Sequence, residues 1–93
     1  MFSQIPFDPK TLNGKDAVKE ILRIALVAEY DAISLYEQLA ASTDREDIKK
    51  VFLDIAREEK EHVGEFQALL LKEDPEQTAA IEKGAKEIEE LAG

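Results

Sequence analysis

The sequence predicts an all-α fold, an antiparallel two-helix hairpin with a short C-terminal helix, suited to dimerise into a four-helix bundle. Three observations carry that expectation. Ala, Glu, Lys, Leu and Ile dominate the 93 residues, while four glycines, three prolines and 6% aromatics are too few for a β fold. Apolar residues recur every three or four positions through two long stretches that no proline breaks. A chain this short also buries only a modest share of its surface alone, so association is expected before any motif is read.

The chain is read as one domain over residues 1–93. Residues 1–12 carry Phe2, Ile5, Pro6, Phe7 and Pro9 without helical period, and the two prolines hold the backbone extended. This segment is either an ordered arm or a frayed terminus; Phe2 and Phe7 favour the arm, because left uncovered they would be unusual. The first helix is expected over 13–42, with Asn13 as its cap and Asp16 near the positive end of its dipole. Its apolar stripe is Val18, Leu22, Ala25, Leu26, Ile33, Tyr36 and Leu39 or Ala40. Thr43 followed by Glu46 has the spacing of a capping box, so the second helix is expected over 43–73. Ile48, Val51, Phe52, Ile55, Ala56, Val63, Phe66 and Leu70 continue the stripe. Asp74 as cap and Pro75 at the first helical position then begin a C-terminal helix over 74–92. Only Ile81, Ala85, Ile88 and Leu91 or Ala92 are apolar in phase there, a narrow face suited to docking on a partner.

The net charge of −9, from 21 acidic and 12 basic residues, argues against nucleic acid or an anionic membrane and in favour of cations. With no cysteine, disulfides and thiolate metal sites are excluded, which fits a reducing cytoplasmic compartment. The most apolar run, residues 21–28, is too short to span a bilayer and contains Arg23, and residues 1–9 lack a signal-peptide pattern.

Two carboxylates stand where a charge is costly. The helical neighbours of Glu59 at 52, 55, 56, 62, 63 and 66 are Phe, Ile, Ala, His, Val and Phe; those of Glu29 at 22, 25, 26, 32, 33 and 36 are Leu, Ala, Leu, Ala, Ile and Tyr. Glu61, by contrast, sits among Asp54, Arg57, Glu58 and Glu65 and is expected in solvent. Burying an unpaired carboxylate costs several kcal/mol, so Glu29 and Glu59 need a cation, a proton or strong donors. Lys60, Arg23 and Arg57 are expected to point elsewhere, and a metal is the simplest partner left. In a hairpin turning near Asp44, residues whose numbers add to about 88 share a level, which brings Glu29 opposite Glu59 and Tyr36 opposite Phe52.

His62, the only histidine, completes a Glu-x-x-His step with Glu59, one turn apart on one face. A di-iron carboxylate bundle needs one Glu from each of two helices and one Glu-x-x-His from each of two others. This chain supplies one of each, so two copies about a two-fold axis supply the whole set. An oxygen-rich shell with one imidazole per metal suits Fe(II), with Mn(II) or Zn(II) as competitors. Tyr36, two turns beyond Glu29, is either a core aromatic or a residue that reaches the site. Asp31, Glu58, Glu61 and Glu65 form solvated faces, or, for Asp31 and Glu58, guide cations inward.

From Ala28-Glu29-Tyr30-Asp31 to Tyr36, and again over Glu58-Glu59-Lys60-Glu61-His62, the chain resembles the encapsulated ferritin-like proteins, a likeness that covers residues 16–72. The resemblance implies two-helix subunits that dimerise into a ferritin-like four-helix bundle with two irons at the dimer interface. By position, Glu29 and His62 would be terminal ligands, Glu59 would bridge the irons, and Tyr36 would stand nearby. It further implies a ring of such dimers, expected to be a decamer, working as a ferroxidase in the cytoplasm inside an encapsulin shell that stores the oxidised iron. Two departures stand out. Where the family tends to have an acidic pair flanking the metal site, Ala28 replaces one member and leaves Asp31. Leu91-Ala92-Gly93 shows no targeting peptide, so the domain is expected either to be fused to a shell protein or to be cut from a longer chain. Two other readings stay open: a rubrerythrin-like peroxidase on the same centre, and a non-catalytic helical assembly module whose buried Glu residues are protonated or paired.

Overall fold

The computed structural model describes residues 14–93, so the expected arm and the Asn13 cap lie outside the described residues. Three helices follow in order: α1 Gly14–Ala41, α2 Glu46–Glu73 and α3 Pro75–Ala92. Helices α1 and α2, each of 28 residues, run back along one another as the expected hairpin. The Tyr36 and Phe52 rings stack with centroids 6.0 Å apart, which fixes the register anticipated from the turn.

The turn differs from expectation. Thr43 does not open a capping box; its hydroxyl accepts from the Arg45 N–H at 3.2 Å, two residues on, a local bond that competes with helix capping. Helix α2 therefore begins at Glu46, with Arg45 as an extended N-cap residue whose side chain caps nothing. Asp47 takes over, accepting the Ile48 N–H at 2.9 Å and the Arg45 guanidinium at 2.7 Å and 3.2 Å. Those donors hold its carboxyl below the usual range.

The far corner is as expected and tighter. The Asp74 side chain, 9% exposed, accepts the Gln77 N–H at 3.1 Å as the cap of α3, with Pro75 in its first turn. Its other oxygen accepts from Arg23 at 3.1 Å, which ties the corner to α1 across 51 residues of sequence. Thr78 closes the same corner by donating to the Leu71 carbonyl at 2.9 Å.

The hairpin builds only part of a core. Leu22, Ile33, Ala40, Ala56 and Leu70 are buried, with the alanines letting the helices approach closely. Of the expected stripe, Val18, Leu39 and Val51 remain exposed, and so do Ile21, Val27, Tyr30, Leu53 and Leu69. On α3, Ile81, Ile88 and Leu91 are exposed. The radius of gyration, 16.5 Å, exceeds the roughly 12 Å of a compact domain of this length, because α3 departs from the hairpin. Among the described residues, no helix is long and apolar enough to cross a membrane.

Candidate metal centre

Helical period explains why three polar side chains meet near mid-hairpin. Glu29 lies on the edge of α1 that faces α2, and Glu59 and His62 are one turn apart on the facing edge of α2. His62 Nδ1 stands 3.3 Å from a Glu29 carboxylate oxygen and 3.5 Å from one of Glu59. One ligand atom from each of the three lies within 4.8 Å of the others, a group that could hold a metal ion. The two carboxylates are largely covered, with side chains 17% and 20% exposed, while the imidazole is 44% exposed and marks the open side.

The electrostatics show how poorly these groups satisfy one another. Glu59, as hydrogen-bond partner, together with burial and then the charge of Glu59, raises Glu29 above the usual carboxylate range, offset in part by His62. Burial works against a charged imidazole, but the Glu29 hydrogen bond and charge, then the charges of Glu59 and Glu65, outweigh it and leave His62 holding its proton above its ordinary range. Nearby cations are engaged elsewhere: Lys60 with Glu37 at 3.0 Å, Arg57 with Asp54 at 3.3 Å, and Arg23 with Asp74 and Glu20 at 3.1 Å and 3.5 Å. Two carboxylate oxygens and one imidazole nitrogen, with no thiolate, are a donor set that fits Fe(II), and two carboxylates pressed together gain most from a divalent ion between them. Three donors from one chain leave half of an octahedral shell to be filled.

Tyr36 packs on Phe52, two turns or about 10 Å along the helix axis from Glu29. Glu58, Glu61 and Glu65 are exposed. Asp31 is half-buried.

A feature missed in the sequence lies on the side where the cluster opens, here the front. Ile21, Ala25, Ala28, Ala32, Leu35 and Leu39 follow a four-three spacing along α1, and Ile48, Phe52, Ile55, Glu59, His62, Phe66 and Leu69 do so along α2. That is the seam of a coiled coil, with Glu59 and His62 at seam positions. Its signal was the spacing itself, hidden by three alanines that read as filler. Ile21, Leu39 and Leu69 on this seam are 51%, 37% and 49% exposed, so it faces outward with nothing upon it.

Residues 20–91 match the rubrerythrin family. The chain is 54% identical over 79 residues to a ferritin-like-encapsulin shell fusion protein of Pyrococcus furiosus, covering 85% of this chain and 23% of that one. It is 37% identical over 79 residues to the encapsulin nanocompartment cargo protein EncC of Myxococcus xanthus, covering 81% of this chain and 60% of that one. The chain thus spans about a quarter and three fifths of the lengths of these two relatives. The crystal structure of the encapsulated ferritin domain from Pyrococcus furiosus superimposes with a TM-score of 0.84 at 47% identity, covering 95% of both chains. The chain belongs to the rubrerythrin family and, within it, to the encapsulated ferritin-like proteins.

Proposed function

We propose that this chain is half of a ferroxidase. Two copies join front to front, and Glu29, Glu59 and His62 of each hold two Fe(II) between them as substrate. The two Fe(II) together would give two electrons to dioxygen, which takes up two protons and leaves as hydrogen peroxide, and the resulting Fe(III) would pass on to storage. The observation that carries this reading is the convergence of two carboxylate oxygens and one imidazole nitrogen within 4.8 Å beside an uncovered coiled-coil seam. The carboxylates suit both charge states of the metal and favour the higher one. In this reading Tyr36 is a nearby aromatic wall, and Glu59, at a central seam position, would be the carboxylate shared by the two irons, as the resemblance implies.

The dimers are proposed to assemble further into a ring, a decamer, inside an encapsulin shell in the cytoplasm. The names of the two relatives, a shell fusion and a shell cargo protein, support that partner. Anaerobic Fe(II) loading followed by air tests the activity: wild type consumes Fe(II) faster than buffer, while Glu59→Ala and His62→Ala fall to the buffer rate. Variants as fast as wild type contradict the assignment.

The rubrerythrin match favours a second reading, peroxidase chemistry at the same centre, although the chain has no cysteine for an electron-relay iron site. Competition between hydrogen peroxide and dioxygen for the Fe(II)-loaded protein separates the two. A third reading, a metal-free assembly module, would show full assembly with no bound metal by elemental analysis.

A further inference from the structure

The imidazole of His62 is held on one side only. Its Nδ1 faces inward, 3.3 Å from a Glu29 oxygen and 3.5 Å from one of Glu59, which turns Nε2, across the ring, away from both carboxylates. Among the described residues no hydrogen bond reaches that second nitrogen. A neutral imidazole that gives its Nδ1 lone pair to a metal carries its proton on Nε2. Metal-binding histidines almost always donate that proton to an acceptor, which fixes the tautomer and the ring angle.

We propose that Glu65 is the positioning residue for His62: its carboxylate accepts the Nε2 proton and so holds Nδ1 as the nitrogen offered to the metal. The proposal rests on the reading of Glu29, Glu59 and His62 as ligands. Three other acids, Glu58, Glu61 and Glu65, lie within about a turn of His62 on α2. Side chains on a helix lean toward its N-terminus, so Glu58, one turn before His62, leans away from the ring, while Glu65, one turn after it, leans back over the ring. Glu61 points roughly 100° around the helix from His62. The electrostatics agree, because the charge of Glu65 acts on the imidazole beside those of Glu29 and Glu59, and those of Glu58 and Glu61 do not figure. Glu65 is exposed and, among the described residues, makes no ion pair that would hold it elsewhere. No hydrogen bond joins it to His62 in the single chain; a rotation of this uncommitted side chain closes one. Glu65 also adjoins the seam between His62 and Phe66, so a second copy seated on the front lies against it and shields the contact from water. The ring is then gripped from both turns of one helix, Glu59 before it and Glu65 after.

A single histidine makes the test simple, because every imidazole NMR signal of the isotope-labelled full chain belongs to His62. Zn(II), which is diamagnetic and takes the same donors, serves as the probe. Its affinity is measured by competition with a chromophoric chelator. In the wild type the proposal expects Zn(II) on Nδ1 and an Nε2–H that exchanges slowly with water. Glu65→Ala should weaken Zn(II) binding about tenfold or more and make the Nε2–H exchange fast, with helicity unchanged by circular dichroism. Glu65→Gln, whose amide oxygen accepts the same bond, should keep the slow Nε2–H and most of the affinity. Glu61→Ala, which removes an equal charge next to His62, should stay within about twofold of wild type. The proposal is overturned if Glu65→Ala keeps the wild-type affinity or the slow Nε2–H, if Zn(II) sits on Nε2, or if Glu65→Gln is as weak as Glu65→Ala. Glu61→Ala as weak as Glu65→Ala also overturns it, since charge alone would then account for the effect. A wild type that binds no Zn(II) removes the ligand assignment and this proposal together. A wild type that binds it beside an unchanged Glu65→Ala removes only the role of Glu65.

Discussion

At the scale of single residues, the centre is defined by what its side chains lack. Glu29 and Glu59 are largely covered on the facing edges of the hairpin, and Lys60, Arg57 and Arg23 are bonded to other acids. Without metal, the cluster is held by the His62 proton. Both Glu29 and His62 bind protons more tightly in the folded chain than ordinarily, so both contribute stability when protonated. That contribution is present below the ordinary value of each group and is lost as pH rises through the raised folded value, first for Glu29 and then for His62. The chelator-treated protein should therefore melt at lower temperature as pH rises from about 5 to 8. Metal reverses the trend, because binding must displace those protons and strengthens with pH. Glu29→Gln separates the roles: the metal-free protein should stay within about 1 kcal/mol of wild type by urea melting, since a strained carboxylate is lost, while metal-induced stabilisation disappears. That Glu29, Glu59 and His62 would meet was legible because Glu29 and Glu59 have apolar neighbours three and four residues away and His62 follows Glu59 by one turn. The partners of Lys60, Arg57 and Arg23 were less so, since side-chain ion pairing depends on rotamers that spacing does not fix.

At the scale of elements, two junctions set the geometry, and the sequence disclosed them unequally. Asp74-Pro75 is a local signal, and it caps α3 as expected. Its bond to Arg23 spans 51 residues and has no local signal. Asp74→Ala removes cap and ion pair together and should cost about 1–2 kcal/mol, seen as a lower melting temperature with lost α3 helicity. Arg23→Ala should cost less, because the guanidinium is half in solvent. At the turn, two hydroxyl and carboxylate acceptors compete for a few N–H groups, and the nearest bond prevails over the capping box. Asp47→Ala should accordingly lower the melting temperature more than Thr43→Ala does. The Asp47 contribution, from a lowered folded value, is present above the ordinary carboxylate range and is lost as pH falls through it.

At the scale of the whole molecule, the exposed seam turns composition into an argument about assembly. Moving a half-exposed Ile or Leu side chain into an interface contributes about 1 kcal/mol, and the front seams of two copies offer several each. Alanine at 25, 28 and 32 lets backbones approach beside the acidic cluster, which is where two metals shared by two chains would need short distances. Leu69→Glu, on the seam but outside the cluster, should give a monomer by sedimentation with helicity intact, and should lose iron oxidation although every ligand remains. The all-α fold and the register were readable from periodicity and the turn. That much of the apolar stripe would face outward was not, because a helical period gives the direction of a face and not what covers it. Native mass spectrometry of the Fe(II)-loaded protein tests the central claim, that one chain holds half a centre. Dimers or multiples of dimers carrying two irons per pair, beside monomers carrying none, are predicted; monomers that hold iron as tightly as dimers would contradict it.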